Sequence, residues 1–165
     1  MPDTKATEYN FSGDRIKKTA IPAGVSGGVA VVVFLIVMGL RGFFPRGKYV
    51  YSGDSMDQVA PFSRMMWENL LSGKGIFYSW ALSFGGNSSL VNAFYAYDPL
   101  NLFFVFVKDA HTALICIMCC KVFLSVFFMY LFLKRVCKCS DTVCFLFSLS
   151  YGLCSYQIYF FQSKD

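Results

Sequence analysis

Between Lys18 and Arg41 the chain runs for 22 residues without a charge, "TAIPAGVSGGVAVVVFLIVMGL". At about 1.5 Å per residue such a run crosses a hydrocarbon layer of about 30 Å. A backbone in that layer finds no water, so it must bond within its own segment as a helix. A cleaved signal peptide would carry a shorter apolar core and a small-residue cleavage site, and "MGLRGFFPRG" offers no A-x-A pattern, so the run reads as a retained anchor. The glycines of "GVSGG" follow no strand, which points to close helix packing rather than to a nucleotide fingerprint.

The rest of the chain agrees with a bilayer as its solvent. Hydrophobic residues make up 56% and charged ones 15%, with 19 Phe, ten Tyr and two Trp. Residues 110–133, "AHTALICIMCCKVFLSVFFMYLFL", form a second apolar run broken only by Lys121, and residues 142–163 a third. The third has no charge but is more polar, with Ser148, Ser150, Tyr151, Ser155, Tyr156 and Gln157 along it. The expectation is an all-α integral membrane protein with three transmembrane helices. Its segments are a tail at 1–18, spans at 19–40, 110–133 and 142–163, a large first loop at 41–109 and a short link at 134–141.

Basic residues set the orientation. The tail carries Lys5, Arg15, Lys17 and Lys18 and the link carries Lys134, Arg135 and Lys138, against Arg41, Arg46, Lys48 and Lys108 at the ends of the loop. The denser charge belongs inside, so the N-terminus reads as cytoplasmic and the loop as extracytoplasmic. The bases lie in small clusters beside apolar runs and form no continuous patch, which excludes nucleic acid as a partner. Of seven cysteines, five lie inside apolar runs and none in 41–109, so no disulfide framework is expected. Cys137 and Cys139 read as free thiols beside a span, with metal binding and acylation as the alternatives.

A 69-residue connection is too long to be incidental, and its aromatic content argues against a solvated, structureless segment. "PFSRMMWENLLSGKG" reads as an amphipathic helix with Phe62, Met65, Met66 and Leu70 near one side. Arg64 and Glu68 pair at i, i+4, Trp67 suits a membrane interface, and Gly73 or Gly75 ends the helix. The nine apolar residues that follow Asp98 and Pro99 cannot span and read as an interfacial or re-entrant helix started by Pro99.

Several residues have the chemistry for a site. Asp54 and Asp57 share a face if they lie on a helical turn, and with Gln58 they form an acceptor-rich cluster just beyond the first span. A carboxylate there can act as general base toward an acceptor hydroxyl, or hold a divalent metal such as Mg or Mn that neutralises a phosphate leaving group. Gly53-Asp54-Ser55 is equally ordinary turn and cap chemistry. Trp80 and Tyr97, with Asn87 between them, offer aromatic faces and an amide suited to sugars or prenyl chains. Lys121 sits near the middle of the second span, where an ammonium costs on the order of 2.5–3.5 kcal/mol. It requires a lipid phosphate, an acid from another span, or a path to the interface along the lipid. His111, the only histidine, begins the second span at an interfacial position.

The segments "GDSMDQVAPF", "LLSGKGIFYSW", "FGGN", "YDPLNLFF" and the Lys121-containing span ending "YLFLKR" occur here in an order that resembles the YfhO family of bacterial membrane proteins, which is similar to the GT-C class of glycosyltransferases. The resemblance is clear from Tyr51 to Arg135 and extends through "SYGLCSYQIYFF". It implies a multi-pass enzyme of the bacterial cytoplasmic membrane, with the key acid in its first extracytoplasmic loop. The implied partners are a sugar on a polyprenyl phosphate and a cell-envelope polymer such as teichoic acid. Asp54, four residues before Gln58, matches the family acid, with Asp57 second; Gln58, Trp80, Asn87, Tyr97 and Lys121 would bind substrate. Family members are several times longer, so the resemblance implies an N-terminal portion. A transporter or flippase component, or a non-catalytic membrane scaffold, is the alternative.

Overall fold

The computed structural model describes residues 13–42, 60–75, 77–80, 85–95, 97–107 and 109–154. Its frame is a pair of long helices, α1 (Gly13–Leu40) and α5 (Ala110–Arg135), with α6 (Asp141–Gly152) packed on α5. Lys18–Leu40 and Ala110–Arg135 are long and apolar enough to cross a membrane, each with a mean hydropathy of 2.4.

The two long helices run antiparallel. Ala23 near the start of α1 clusters with Tyr130 near the end of α5, whereas Phe34 and Met38 cluster with Ile115 and Met118. Small residues allow the contact: Ala23, Ser26 and Ala30 are wholly buried, and a Cβ on Gly27 would lie 2.8 Å from the Phe123 ring. Without a hydrophobic drive between helices in lipid, such close approach supplies the dispersion contact that holds them together. Ser26 satisfies its own hydroxyl by donating to the Pro22 carbonyl at 2.8 Å. The same device recurs where α6 meets α5, for a Cβ on Gly152 would strike Val126.

Asp109 starts α5 as its N-cap, accepting from the Thr112 backbone N–H at 2.8 Å and from its hydroxyl at 2.6 Å. Lys134 and Arg135 lie in its last turn, where cations suit the helix dipole. The described helix α6 has 12 residues, about 18 Å, and is capped at Leu153, within the run that the sequence reads as a single third span. The remaining residues of that run, 155–163, lie outside the described part.

Between α1 and α5 the loop folds into short elements. Helix α2 (Ala60–Leu71) ends as its glycine predicts: Gly73 takes a φ of +71°, its N–H bonds to the Leu70 carbonyl, and the Lys74 N–H reaches back to the Asn69 carbonyl. Arg64 and Glu68 meet at 3.6 Å. The buried face matches the expected one only in part: Met66 is buried, but Ala60 and Ser63 are buried beside it and Leu70 is about half exposed. A two-stranded antiparallel hairpin, β1 (Tyr78–Ser79) with β2 (Gly86–Asn87), leads into α3 (Ser88–Tyr95), so the loop is not purely helical. A 3-10 turn (Pro99–Leu102) and α4 (Phe103–Phe106) follow. The loop is fastened to α5 through Ala60, Trp67, Leu100, Phe103 and Phe104, which pack against Ala113, Leu114 and Ile117.

Candidate functional site

The sequence-derived candidates fall into three groups. Asp54, Asp57 and Gln58 lie outside the described residues, six to two positions before the buried anchor Ala60. Trp80 and Asn87 sit on the hairpin. Tyr97 precedes Asp98 in the chain, and Lys121 pairs with Asp98.

On the hairpin, Tyr78 is the register partner of Asn87, and the Phe77 carbonyl accepts from the Ser88 N–H at 3.0 Å. Gly85 is required here by two conditions at once: its φ is +93°, and a Cβ would collide with the Tyr78 hydroxyl and touch Trp80. Tyr78 and Trp80 pack edge to face with centroids 5.3 Å apart. Trp80 is 77% exposed, which leaves one broad apolar ring free for a ligand or lipid. Asn87 has a local duty: its Oδ1 accepts from the Ser89 backbone N–H at 2.9 Å and so caps α3. Its amide N–H groups and the second lone pair of Oδ1 remain for a ligand.

Asp98 organises the third group, and its role was not read from the sequence. Its backbone is extended, Pro99 follows at the first position of the 3-10 turn, and Oδ1 accepts from the Leu100 N–H at 3.0 Å. The other oxygen, Oδ2, lies 2.6 Å from Lys121 Nζ. One carboxylate thus caps the turn and neutralises the lysine. Lys121 is half exposed at its side chain and Asp98 one-third exposed, so the pair lies at the surface of the helix bundle, not within it. Tyr97, the neighbour of Asp98, is half exposed. The partner is an acid of the loop, not of another span. The sequence signal was the lysine itself, which at that position demands an anion within its reach.

A second charged cluster closes the other end of α5. Asp141 Oδ1 accepts from Lys134 Nζ at 2.9 Å and from the buried Tyr130 hydroxyl at 3.0 Å, and Lys134 also donates to the Cys139 carbonyl at 3.3 Å. The Lys134 and Tyr130 hydrogen bonds hold the Asp141 carboxyl below its usual range. Asp109, at the opposite end, is held low by the Thr112 hydroxyl and backbone N–H. Among the described residues no group of three or more His, Cys, Asp and Glu side chains could hold a metal ion, and all seven cysteines are free.

The order of these elements has a counterpart among known families. A family model described as bacterial membrane protein YfhO matches residues 27–164. The chain belongs to the YfhO family. No curated protein and no solved structure matches it. The YfhO match takes in the second half of α1, the whole loop, α5 and α6, and therefore every candidate residue named above. Membership and the two apolar helices together make this a protein of the membrane.

Proposed function

We propose that this YfhO-family chain serves glycosyl transfer of the GT-C type, in which a sugar moves from a polyprenyl-phosphate carrier to an extracytoplasmic cell-envelope acceptor. The observation that carries the reading is the anchoring of the loop. Ala60 is buried in the cluster that joins α2 to the first turns of α5. A chain spans at most about 3.5 Å per residue. Asp54 is therefore tethered within about 21 Å of that cluster and Asp57 within about 11 Å, and this reading takes them to act where a membrane-borne sugar phosphate meets a water-borne hydroxyl. The exposed ring of Trp80 and the amide of Asn87 offer a face suited to sugar or prenyl groups.

In this reading Asp54 takes the acceptor proton, or holds an Mg or Mn ion that stabilises the departing phosphate; Asp57 and Gln58 support it. In membranes supplied with a lipid-linked sugar, Asp54→Asn loses on the order of 10²-fold or more in transfer while donor binding persists. Asp57→Asn loses less. Wild-type turnover by Asp54→Asn removes the catalytic assignment, since Asn caps a helix about as well as Asp. A metal role adds a second signature: chelation abolishes transfer, and Mg or Mn restores it.

A flippase or transporter component is the second reading, and the half-exposed Lys121 is the observation that favours it. Against it, two polar residues of α6 bond within their own helix: Ser148 donates to the Phe145 carbonyl and Ser150 to the Leu146 carbonyl, each at 3.0 Å. Lipid scrambling without glycosyl transfer is the outcome that selects this second reading.

A further inference from the structure

The depth of Lys121 can be read from its neighbours. Gly27 of α1 touches Phe123 of α5, and Val31 shares a groove of about 300 Å³ with Leu100, Cys119, Cys120, Phe123 and Leu124. With the helices antiparallel, Lys121 stands level with Val29, near the midpoint of the uncharged run of α1. At about 1.5 Å per residue that is about 16 Å from either end of the run, and likewise about 16 Å along α5 from Ala110. A lysine stem reaches about 6 Å along the helix surface, so Asp98, bonded to its tip, lies about 10 Å or more inside the ends of the two helices.

Two arrangements fit that distance. The outer halves of α1 and α5 could stand in water with the loop beside them, or the segment from Asp98 to Val107 could descend into lipid alongside α5. The surface of α1 decides between them. Val32, Val33, Leu35, Ile36 and Leu40, all above the level of Val29, are exposed, and Leu40 is 84% so. Raising this half of α1 out of the bilayer would leave five large apolar side chains in water, forfeiting the apolar surroundings that lipid supplies. The descending segment has the surface that lipid requires: Phe106 and Leu102 are exposed, while Phe104 and Asn101 turn inward. The face is continuous with Leu124 of α5 through the groove at Leu100.

We propose that Asp98–Val107 is a re-entrant segment embedded in the leaflet on the loop's side, its outer face covered by lipid acyl chains and its lowest point held by the Asp98–Lys121 pair. The pairing makes the descent tolerable. Each charge alone is costly at that depth, whereas together they are neutral and hydrogen-bonded, and Asp98 also satisfies the Leu100 N–H at the start of the turn. Within the segment the N–H groups of Leu100, Asn101, Phe103 and Val107 all find partners, as a segment in lipid requires. The inference does not depend on the glycosyltransferase reading or on which side of the membrane the loop occupies.

The test uses the whole protein in phospholipid membranes with its native cysteines. A photoreactive benzophenone side chain is placed by Leu102→p-benzoylphenylalanine, by Phe106→p-benzoylphenylalanine and, as the water-exposed control, by Lys74→p-benzoylphenylalanine. After illumination the lipid adducts are located by mass spectrometry. Positions 102 and 106 should attach to methylenes well down the acyl chain, and position 74 should give no acyl adduct. Attachment of 102 and 106 only at the glycerol region, or to no lipid, overturns re-entry in favour of a segment lying on the surface. With Asp98→Asn the adducts at 106 should move toward the headgroup or vanish, and Asp98→Asn/Lys121→Gln should bring them back. Adducts at 106 unchanged by Asp98→Asn would overturn the holding role of the pair. If Asp98→Asn yields no folded protein, the reporters in the native sequence and in the doubly neutral variant still decide whether the segment enters the leaflet.

Discussion

Helix α5 carries two lysine–aspartate pairs, and they do different work. Lys121 meets Asp98 near the middle of the helix, and its partner comes from a loop 23 positions earlier in the chain. Lys134 meets Asp141 at the helix end, with a partner seven positions later and a tyrosine hydroxyl sharing the same oxygen. The distances are similar, 2.6 and 2.9 Å, yet the surroundings differ. The first pair has lipid at its level, so its alternative is an unpaired charge in hydrocarbon. The second lies where water can replace either partner. Equal geometry does not mean equal worth; the cost of the unpaired state decides.

The largest effect that can break this comparison comes from Asp98→Asn. It leaves the Lys121 ammonium without its anion at mid-helix depth, a cost on the order of 2.5–3.5 kcal/mol. Folded yield and the midpoint of thermal unfolding in detergent–lipid mixtures should both fall clearly, and Asp98→Asn/Lys121→Met should recover most of the loss. A single mutant as stable as the native protein would place the first pair in the same class as the second.

Next in size is the helix contact that sets the depth of Lys121. Gly27→Leu drives a side chain into the Phe123 ring, already 2.8 Å from where a Cβ would stand. Overpacking of this kind costs about 1–3 kcal/mol. Gly28→Leu, at a position with open space around it, is the control and should be nearly silent. Equal loss from both would mean that the α1–α5 register differs from the one described.

Asp109→Ala should cost about 1 kcal/mol by removing the cap of α5, whereas Asp109→Asn should cost little at neutral pH. The pH dependence has a definite sign. The Asp109 carboxyl is held below its ordinary value, so its contribution is complete above the unfolded value, near 4, and is lost as the pH falls through the folded one. The stability difference between native protein and Asp109→Ala should therefore shrink on acidification below about pH 4. A difference that grows instead would reverse the assignment of Asp109 as an ionised cap.

The smallest effect belongs to the second pair. Lys134→Gln should shift the unfolding midpoint slightly at low salt, and the shift should fade as salt is added. A large, salt-insensitive loss would show that the Asp141 cluster is cut off from water and comparable to the pair at Lys121.

What the sequence determined by itself are the features settled by neighbours in the chain. An uncharged run of 22 residues is a helix in lipid whatever surrounds it, and α1 covers that run completely. The Arg64–Glu68 pair, the glycine stop after α2 and the proline start after Asp98 each depend on residues within one or two helical turns, and all three stand where the sequence put them. YfhO membership was legible in the same way, from short segments in order. The tertiary structure decided what lies opposite what. It buried Ala60 and Ser63 beside the expected Met66 and left Leu70 half exposed, with α3 and α4 packed against α2 and Ala60 held in the cluster with Ala113 and Ile117 of α5. It made a hairpin of strands only two residues long, too short for any alternation to be visible. It committed Asn87 Oδ1 to a helix cap, and it gave Lys121 an acid from the loop. A charge in the middle of an apolar run announces that it needs a partner; which carboxylate answers depends on a fold that brings residues 98 and 121 together in space.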